Sequence, residues 1–251
     1  QIATLGFNLK NKGLIEDVKV TGSVTGNNDV AGIVNKIDED GKVENVAFIG
    51  KIDSVGNNST VGGIAGSNYM GFVNRAYVDA TITAQNANAS MLVPFVTYML
   101  NSWKSGTKAK VTNSVAKGVL DVKNTRNVGG IVAKTWPYGA VQDNVTYAKV
   151  IKGQEIFASN DVNDEDGGPH IKDLFGVVGY SSAEDGTGKD TKSPKKLKHL
   201  TKEEADKRVE GYKITADTFV SEPYALNTLN NVSSQADFAN IQDYKPEYKQ
   251  A

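Results

Sequence analysis

The chain has 251 residues and a formal net charge of −1, with 28 Lys and Arg residues against 29 Asp and Glu residues. This balance argues against general nucleic-acid binding, which depends on a basic surface. The absence of cysteine excludes disulfides, thiolate zinc sites and cysteine nucleophiles. The sequence contains no run of 18 apolar residues, the length needed to span a membrane.

A unit of about 30 residues recurs along the first part of the chain. Its clearest copy, KVENVAFIGKIDSVGNNSTVGGIAG at residues 42–66, alternates apolar and other side chains, which is typical of a strand. The second copy follows the first by 28 residues. The positions predicted to face inward are Ile15, Val18, Val20, Gly22 and Val24 in the first copy, Val43, Val46, Phe48, Gly50 and Ile52 in the second, Val73, Ala76, Val78, Ala80 and Ile82 in the third, Val111, Ser114, Ala116, Gly118 and Leu120 in the fourth, and, with one extra residue, Val141, Val145, Tyr147, Lys149 and Ile151 in the fifth.

The second half of the unit also repeats. It reads VAGIV at residues 30–34, VGGIAG at residues 61–66, VGGIV at residues 128–132 and, more loosely, LFGVVG at residues 174–179. Residues 4–8, TLGFN, resemble the end of a further unit, so we expect the array to extend before Gln1. Units of this length cannot bury an apolar face alone, but stacked copies bury it continuously.

These repeats predict a mainly β fold, a parallel β-helix (β-solenoid) of about five to six coils with one repeat per coil. Glycine occupies an inward position in three copies, at Gly22, Gly50 and Gly118, which suggests a sharp bend of the coil. The alternative is a β-sandwich of about ten strands. The solenoid register predicts that Val46→Asp is strongly destabilising, whereas Lys51→Asp on the outer face is not.

The third copy is interrupted by an excursion at residues 84–109. Within it, residues 91–96 are expected to supply the second strand of that coil and residues 97–103 a helical turn. One interpretation is that Tyr98, Leu100 and Trp103 pack over the solenoid. The other is that the excursion forms a contact surface for a partner or a neighbouring domain, as long insertions in repeat proteins often do.

The sequence divides into a β-solenoid at residues 1–180, a Gly-, Ser-, Asp- and Lys-rich flexible linker at 181–200 and a helical tail at 201–251. Thr201 and Glu204 form a capping-box pattern, and Ala205, Val209 and Tyr212 follow at helical spacing. Residues 224–231 and 235–243 also have helical patterns. We expect the tail to pack on the last coil or to lead into a further domain.

The search for chemistry yields no catalytic, cofactor-binding or metal-ligating residue. His170 and His199 are 29 residues apart and lie in neither an HExxH motif nor a triad pattern. Four acidic residues in a predicted loop do not have the spacing of a calcium-binding loop. These residues are Asp161, Asp164, Glu165 and Asp166.

The unit G-x-[IV]-x-N-V-x-V-x-G-x-[IV]…VGGI[AV]G resembles the GLUG repeat of bacterial surface proteins. GLIEDVKVTGSVTG, NVAFIGKI, LTKEEADKRVEGYKITADTF and YKPEYKQA together are similar to the streptococcal zinc metalloproteases, a family that includes immunoglobulin A protease and its paralogues. The resemblance covers nearly the whole chain. In that family the repeats precede a catalytic domain with an HExxH motif, which is absent here, so no zinc ligand is carried over to this sequence.

The resemblance implies a non-catalytic region of an exported, cell-wall-associated protease that cleaves host proteins. It implies no cofactor in this region, zinc in a catalytic domain outside it, and that downstream domain as a partner, with a host glycoprotein such as immunoglobulin as a further one. Neither nucleic acid nor a membrane span is expected. A surface adhesin, with residues 84–109 holding a host ligand, is the alternative. A carbohydrate-processing β-helix fits poorly, because the outward positions are mostly Lys, Thr and Asn.

Overall fold

The computed structural model describes residues 1–57, 59–96, 109–135, 140–153, 157–160, 179–181 and 197–218. These residues form eighteen β-strands, one α-helix and one 3-10 helix. The strands are β1 (Gly6–Leu9), β2 (Leu14–Gly26), β3 (Val30–Ala31), β4 (Val34–Ile37), β5 (Lys42–Ser54), β6 (Ser59–Gly62), β7 (Ala65–Asn68), β8 (Phe72–Ser90), β9 (Phe95–Val96), β10 (Lys110–Thr112), β11 (Val115–Gly129), β12 (Val132–Thr135), β13 (Ala140–Gln142), β14 (Asn144–Thr146), β15 (Lys149–Val150), β16 (Phe157–Asn160), β17 (Gly179–Ser181) and β18 (Leu197–His199). The helix α1 spans Lys202–Tyr212, and the 3-10 helix spans Ala216–Thr218.

All strand pairs of the described residues are parallel, and each strand pairs with the equivalent strand of the neighbouring repeat. The larger sheet contains the long strands β2, β5, β8 and β11, and the smaller sheet has the order β1-β4-β7-β9-β12-β16. Equivalent residues therefore stack rung on rung, as in a solenoid. The predicted parallel β-helix is confirmed, with about four complete turns, which is close to the predicted number.

The predicted register is confirmed for the first four copies. Val18 pairs with Val46, and Val46 pairs with Ala76, as the 28- and 30-residue offsets require. Further along, Ala116 pairs with Val78 and Leu120 with Ile82. The second halves of the repeats are stacked as well, since Val61 pairs with both Val30 and Ala89.

The inward side chains form one continuous apolar core along the solenoid. Val46, Phe48 and Ile52 of β5 are fully buried, whereas Lys51 on the outer face of the same strand is exposed. Burial of a Val, Ile or Phe side chain contributes about 1.5–3 kcal/mol, so the core of each coil offsets much of the conformational entropy lost on ordering.

Glycine is required inside the coil where successive backbones approach closely. Gly50 has φ +150° and Gly118 has φ +106°, values that side chains rarely tolerate. A Cβ atom at Gly50 would overlap the carbonyl oxygen of Gly22 in the rung below, and one at Gly118 would overlap that of Ala80. The strands β2, β5 and β11 nevertheless run through these glycines without interruption.

A second irregularity recurs in every copy and was not predicted from the sequence. One residue per repeat adopts the left-handed conformation at the same place in the coil, immediately before the Val18, Val46 and Ala76 positions. We call this set the left-handed column, which consists of Asp17 (φ 55°), Asn45 (φ 52°), Arg75 (φ 57°), Asn113 (φ 51°) and Asp143 (φ 57°). Asn and Asp tolerate this conformation better than other residues with a side chain.

In the fifth copy Val141 pairs with Val111 as predicted, but the register predicted after Val141 is wrong, because the repeat needs no extra residue there. Ala116 pairs with Thr146, which lies one position before the predicted Tyr147. Leu120 likewise pairs with Val150 and not with Ile151. A one-residue shift moves every side chain to the opposite face of a strand. Val145, Tyr147 and Lys149 therefore belong to the outer face, where α1 covers Val145.

The remaining expectations on the solenoid are met in part. β8 continues to Ser90, and β9 lies within the predicted strand segment of residues 91–96, next to Asn68 of β7. Residues 97–108, including Tyr98, Leu100 and Trp103, are outside the described residues. Two short parallel rungs, β17 and β18, follow the fifth copy, and Gly179 of LFGVVG pairs with Asn144 in the larger sheet. Gly179 thus belongs to the first half of a unit instead of the second.

Candidate functional site: the C-terminal strap

The last described segment, residues 200–218, folds back over the outer face of the larger sheet, and we call it the strap. Its helix begins as predicted, since Thr201 Oγ1 accepts a hydrogen bond from the Glu204 backbone N–H at 3.2 Å. Glu203 and Glu204 in the first turn complement the positive end of the helix dipole. The helix ends at Lys213, which is left-handed with φ 53° and donates its N–H to the Glu210 carbonyl.

The apolar face of α1 covers the outer face of the fifth copy. Ala205 is fully buried in a cluster with Val145 and Tyr180, separate from the core of the solenoid. Partly buried apolar side chains surround this cluster, namely Tyr147, Leu200, Val209 and Tyr212. The helical spacing of Ala205, Val209 and Tyr212 in the sequence therefore reflects packing on the solenoid.

Asn45 of the left-handed column anchors the end of the strap. Its Oδ1 accepts hydrogen bonds from the backbone N–H groups of Thr215 at 2.8 Å and Ala216 at 3.1 Å. Its Nδ2 donates to Thr215 Oγ1 and to Asp17 Oδ1, both at 2.6 Å. The residue is 3% exposed, and all of the hydrogen-bonding capacity of its side chain is used inside the protein.

Arg75, from the next rung, holds the carboxyl end of α1. Its guanidinium donates to the carbonyl oxygens of Tyr212, at 3.1 Å, and Lys213, which are among the last carbonyls of the helix and lack helical partners. The same guanidinium forms an ion pair with Glu44 at 3.0 Å. A positive charge at this end also interacts favourably with the helix dipole.

Asp143, from the fifth copy, is the third attachment. Its carboxylate lies 3.9 Å from the Arg208 guanidinium and accepts a hydrogen bond from the Tyr180 hydroxyl at 3.4 Å. Its backbone carbonyl accepts a hydrogen bond from the Tyr212 hydroxyl. The Arg208 guanidinium also lies 3.8 Å from the centre of the Tyr180 ring, which is a favourable cation–π distance.

Two tyrosines at the contact between the strap and the solenoid have altered protonation equilibria. Burial raises the pKa of the Tyr212 hydroxyl above its usual range. Burial, followed by the hydrogen bond to Asp206, also raises the pKa of Tyr147, whose hydroxyl lies 2.7 Å from Asp206 Oδ1. Hydrogen bonds from Lys202 and Tyr147 lower the pKa of Asp206. These shifts favour a neutral phenol beside an ionised carboxylate at neutral pH.

The strap thus connects rungs that are distant along the solenoid. It begins on the fifth copy and ends with the 3-10 helix in contact with β2, β5 and β8 of the first three copies. Asn45, Arg75 and Asp143 all belong to the left-handed column, so a feature of the repeat serves as the docking line. The polar groups of the strap and of the left-handed column bond to one another, so this site attaches the strap to the solenoid.

The sequence analysis predicted no catalytic or metal-binding residue. Among the described residues, no group of three or more His, Asp or Glu side chains is placed to hold a metal ion. His199 is exposed in β18. His170 and the acidic residues Asp161, Asp164, Glu165 and Asp166 lie outside the described residues. No described helix has the length and apolar character needed to cross a bilayer.

The left-handed column had a signal in the sequence that periodicity alone does not reveal. Asn or Asp stands at this position in four of the five copies, which is the composition that a left-handed residue favours. Arg75 breaks the pattern, and it is also the residue that binds the helix carbonyls. The partners of these residues in the strap are more than 130 positions away for Arg75 and 170 for Asn45.

Comparison with known proteins bears out the resemblance to the streptococcal zinc metalloproteases. The chain is 47% identical over 253 aligned residues to zinc metalloprotease ZmpB of Streptococcus pneumoniae, an alignment that covers the whole chain and 13% of that protein. It is 32% identical over 154 residues to zinc metalloprotease ZmpC of the same species, covering 58% of the chain and 8% of that protein. No protein-family model and no solved structure matches the chain, so the GLUG assignment stays a prediction. The chain spans only 13% of ZmpB, and its match to ZmpC spans 8% of that protein.

Proposed function

We propose that this chain is a non-catalytic scaffold of a secreted, cell-wall-associated zinc metalloendopeptidase that cleaves host proteins, similar to immunoglobulin A protease. Its role is to hold a downstream catalytic domain at a fixed place and to shape the access of large substrates. Zinc would be bound by that domain and not by this region. The observation that carries the proposal is the identity to ZmpB, a zinc metalloprotease, over a segment without the HExxH motif.

The strap supports the scaffold role. A chain that simply left the last coil would extend the solenoid axis, whereas this one returns to the first three copies before residue 219. Three side chains from different rungs fix the path, and two of them bond to backbone atoms of the strap. Backbone attachment depends little on the strap sequence and holds the strap against the solenoid as far as the 3-10 helix.

The test uses the full-length parent protein with the strap attachments removed by Asn45→Gly and Arg75→Ala. We expect turnover of a short fluorogenic peptide to stay within twofold of the wild type. Cleavage of a large folded protein substrate is expected to fall at least fivefold, because the orientation of the catalytic domain is no longer fixed. Asn113→Gly, at the equivalent position of the fourth copy, is the matched control.

Two results would contradict the proposal. Loss of peptide turnover in the variants would place the chain in the active site, and unchanged cleavage of both substrates would remove the role in access. The 251-residue chain alone is expected to be a folded, β-rich protein without proteolytic activity. Stoichiometric tight zinc binding by this chain would also refute a non-catalytic role.

A further inference from the structure

We infer that a groove on the outer face of the smaller sheet binds a neutral oligosaccharide. The groove has a volume of about 440 Å³, which lies within the range of small-ligand sites. We call it the aromatic groove, because Phe7, Tyr69 and Phe95 lie along it. It is on a different face from the strap, and the inference does not depend on the proposed function.

Two of the aromatic side chains of the groove pack on each other. The rings of Tyr69 and Phe95 are 5.9 Å apart at an angle of 55°, a favourable tilted arrangement. Lys36 Nζ lies 4.7 Å from the centre of the Tyr69 ring, and Lys134 Nζ lies 5.9 Å from that of Phe95. Aromatic rings offer a large apolar surface with a negatively polarised face. Sugar rings present faces of weakly positive C–H groups, which are complementary to that surface.

The remaining lining matches the hydroxyl groups of a sugar. Amide and hydroxyl side chains dominate it, including Asn8, Thr60, Ser67 and Asn88. Each of these groups can both donate and accept hydrogen bonds, as sugar hydroxyls do. Asn8 and Ser67 flank Lys36 in the same register, so the polar groups follow the axis of the solenoid. A linear oligosaccharide along this axis would contact several rungs at once.

The charges of the groove disfavour an anionic ligand. Among the described residues, its lining contains one cation, Lys36, and one anion, Asp29, and a second cation, Lys134, lies beside the Phe95 ring. Lys36 forms an ion pair with Asp38 at 3.3 Å, and Asp29 accepts hydrogen bonds from Gln1 at 2.6 Å and the Thr60 N–H at 3.2 Å. Sulfated glycans, nucleic acids and acidic peptides would meet no surplus of positive charge here.

The carboxylates of the groove lining favour binding over hydrolysis. Glycosidases generally need two carboxylates on opposite sides of the scissile bond. The groove lining supplies the single carboxylate of Asp29, which is already occupied by Gln1 and Thr60.

A second groove offers a matched control. It has a volume of about 580 Å³ and is lined by five charged residues, which are Lys12, Asp40, Lys42, Glu44 and Lys110. Phe72 lines it, with Lys110 Nζ 6.0 Å from the ring centre. Phe72→Ala therefore removes an aromatic ring beside a lysine without touching the aromatic groove.

The experiment applies the 251-residue chain to an array of uncharged oligosaccharides terminating in mannose, glucose, galactose or N-acetylglucosamine. Sialylated and sulfated counterparts and a set of extended peptides are included on the array. We expect retention by at least one uncharged oligosaccharide, whose affinity is then measured by calorimetry. Tyr69→Ala and Phe95→Ala are expected to weaken binding at least tenfold, and Phe7→Ala at least threefold, whereas Phe72→Ala leaves it unchanged.

Phe7→Ala keeps the test decisive if the other two variants fail to fold, because the Phe7 ring is not part of the hydrophobic core of the 251-residue chain that is assayed. The inference is overturned if no uncharged oligosaccharide is retained at millimolar concentration. It is equally overturned if sialylated glycans, sulfated glycans or peptides bind more tightly than uncharged ones. A loss of binding in Phe72→Ala as large as in Phe7→Ala would place the ligand elsewhere.

Discussion

Replacing Asn45 by glycine should release the strap while leaving the solenoid folded. Glycine tolerates the left-handed φ of 52°, so the substitution removes the side chain without straining the backbone. Three of the four hydrogen bonds that are lost go to the strap, to Thr215 and Ala216. At about 1 kcal/mol each, these bonds stabilise the docked strap by about 3 kcal/mol.

Hydrogen–deuterium exchange measures this opening directly. A change of about 3 kcal/mol corresponds to about a 100-fold shift of an equilibrium, so strap amides of Asn45→Gly should exchange about 100-fold faster. Amides of β5 in the core of the solenoid should retain most of their protection, because Phe48 and Ile52 remain buried.

Asn113→Gly is the control for this experiment. Asn113 is also left-handed, with φ 51°, but its side chain donates to Asn74 Oδ1 at 3.1 Å instead of to the strap. Equal acceleration of strap exchange in Asn45→Gly and Asn113→Gly would show that the effect comes from the solenoid backbone. It would refute the conclusion that the Asn45 side chain anchors the strap.

Three further predictions concern stability. Gly50→Ala should lower the free energy of unfolding, measured in urea, by at least about 2 kcal/mol, because the added Cβ would overlap the backbone of the rung below. Gly211→Ala in α1, where no atom lies within 4 Å of the added Cβ, should raise it by about 0.5–1 kcal/mol. Equal shifts would contradict the stacking. In thermal unfolding, Val46→Asp should lower the free energy of unfolding by about 3 kcal/mol or more, because it places a charge in the apolar core. Lys51→Asp on the exposed face should lower it by less than about 0.5 kcal/mol. Comparable losses would contradict the register. Burial raises the pKa of Tyr212, so the docked strap binds the phenol proton more tightly than the open strap does. Protection of the strap amides from hydrogen exchange should be complete below about pH 10 and should fall above it, with a weaker pH dependence in Tyr212→Phe. The same pH dependence in both proteins would be evidence against this link.

Much of the solenoid could be predicted because its information is local and repeated. Each copy carries the same alternation, so Val46 and Ala76 align by counting and then pair in space. The repeat also reveals the glycine positions, although their cause differs from the predicted sharp bend. The strands continue through Gly50 and Gly118, where stacked backbones approach too closely for a side chain. Repetition supplies several independent observations of the same environment.

The fifth copy was misassigned because one sequence pattern can fit either face of a strand. Val145 and Tyr147 are apolar and alternate, which predicts an inward face when only one side of a sheet is covered. Here α1 covers the outer side, and Val145 is buried there beside Ala205. The true inward residues include the polar Asn144 and Thr146, which are fully buried and hydrogen bonded. Nothing within one repeat indicates that a distant helix covers it.

The candidate site was predicted only in its local part. The cap at Thr201 and the helical spacing that follows are short-range signals, and both are confirmed. The attachments to Asn45 and Arg75 are long-range side-chain contacts, which periodicity does not encode. For the same reason the pairing of Tyr69 with Phe95 could not be anticipated, although Phe95 lies in the segment proposed as a contact surface.

The strap changes how stability is distributed along the solenoid. In a simple stack each rung contacts only its neighbours, so the end rungs can fray independently of the rest. Here one segment is bonded to Asn45, Arg75 and Asp143, which come from the second, third and fifth copies. Opening of the fifth copy must therefore break contacts with α1 as well as with the fourth copy. Because the same segment also bonds to the second and third copies, the described coils are coupled beyond nearest neighbours, as the proposed scaffold role requires.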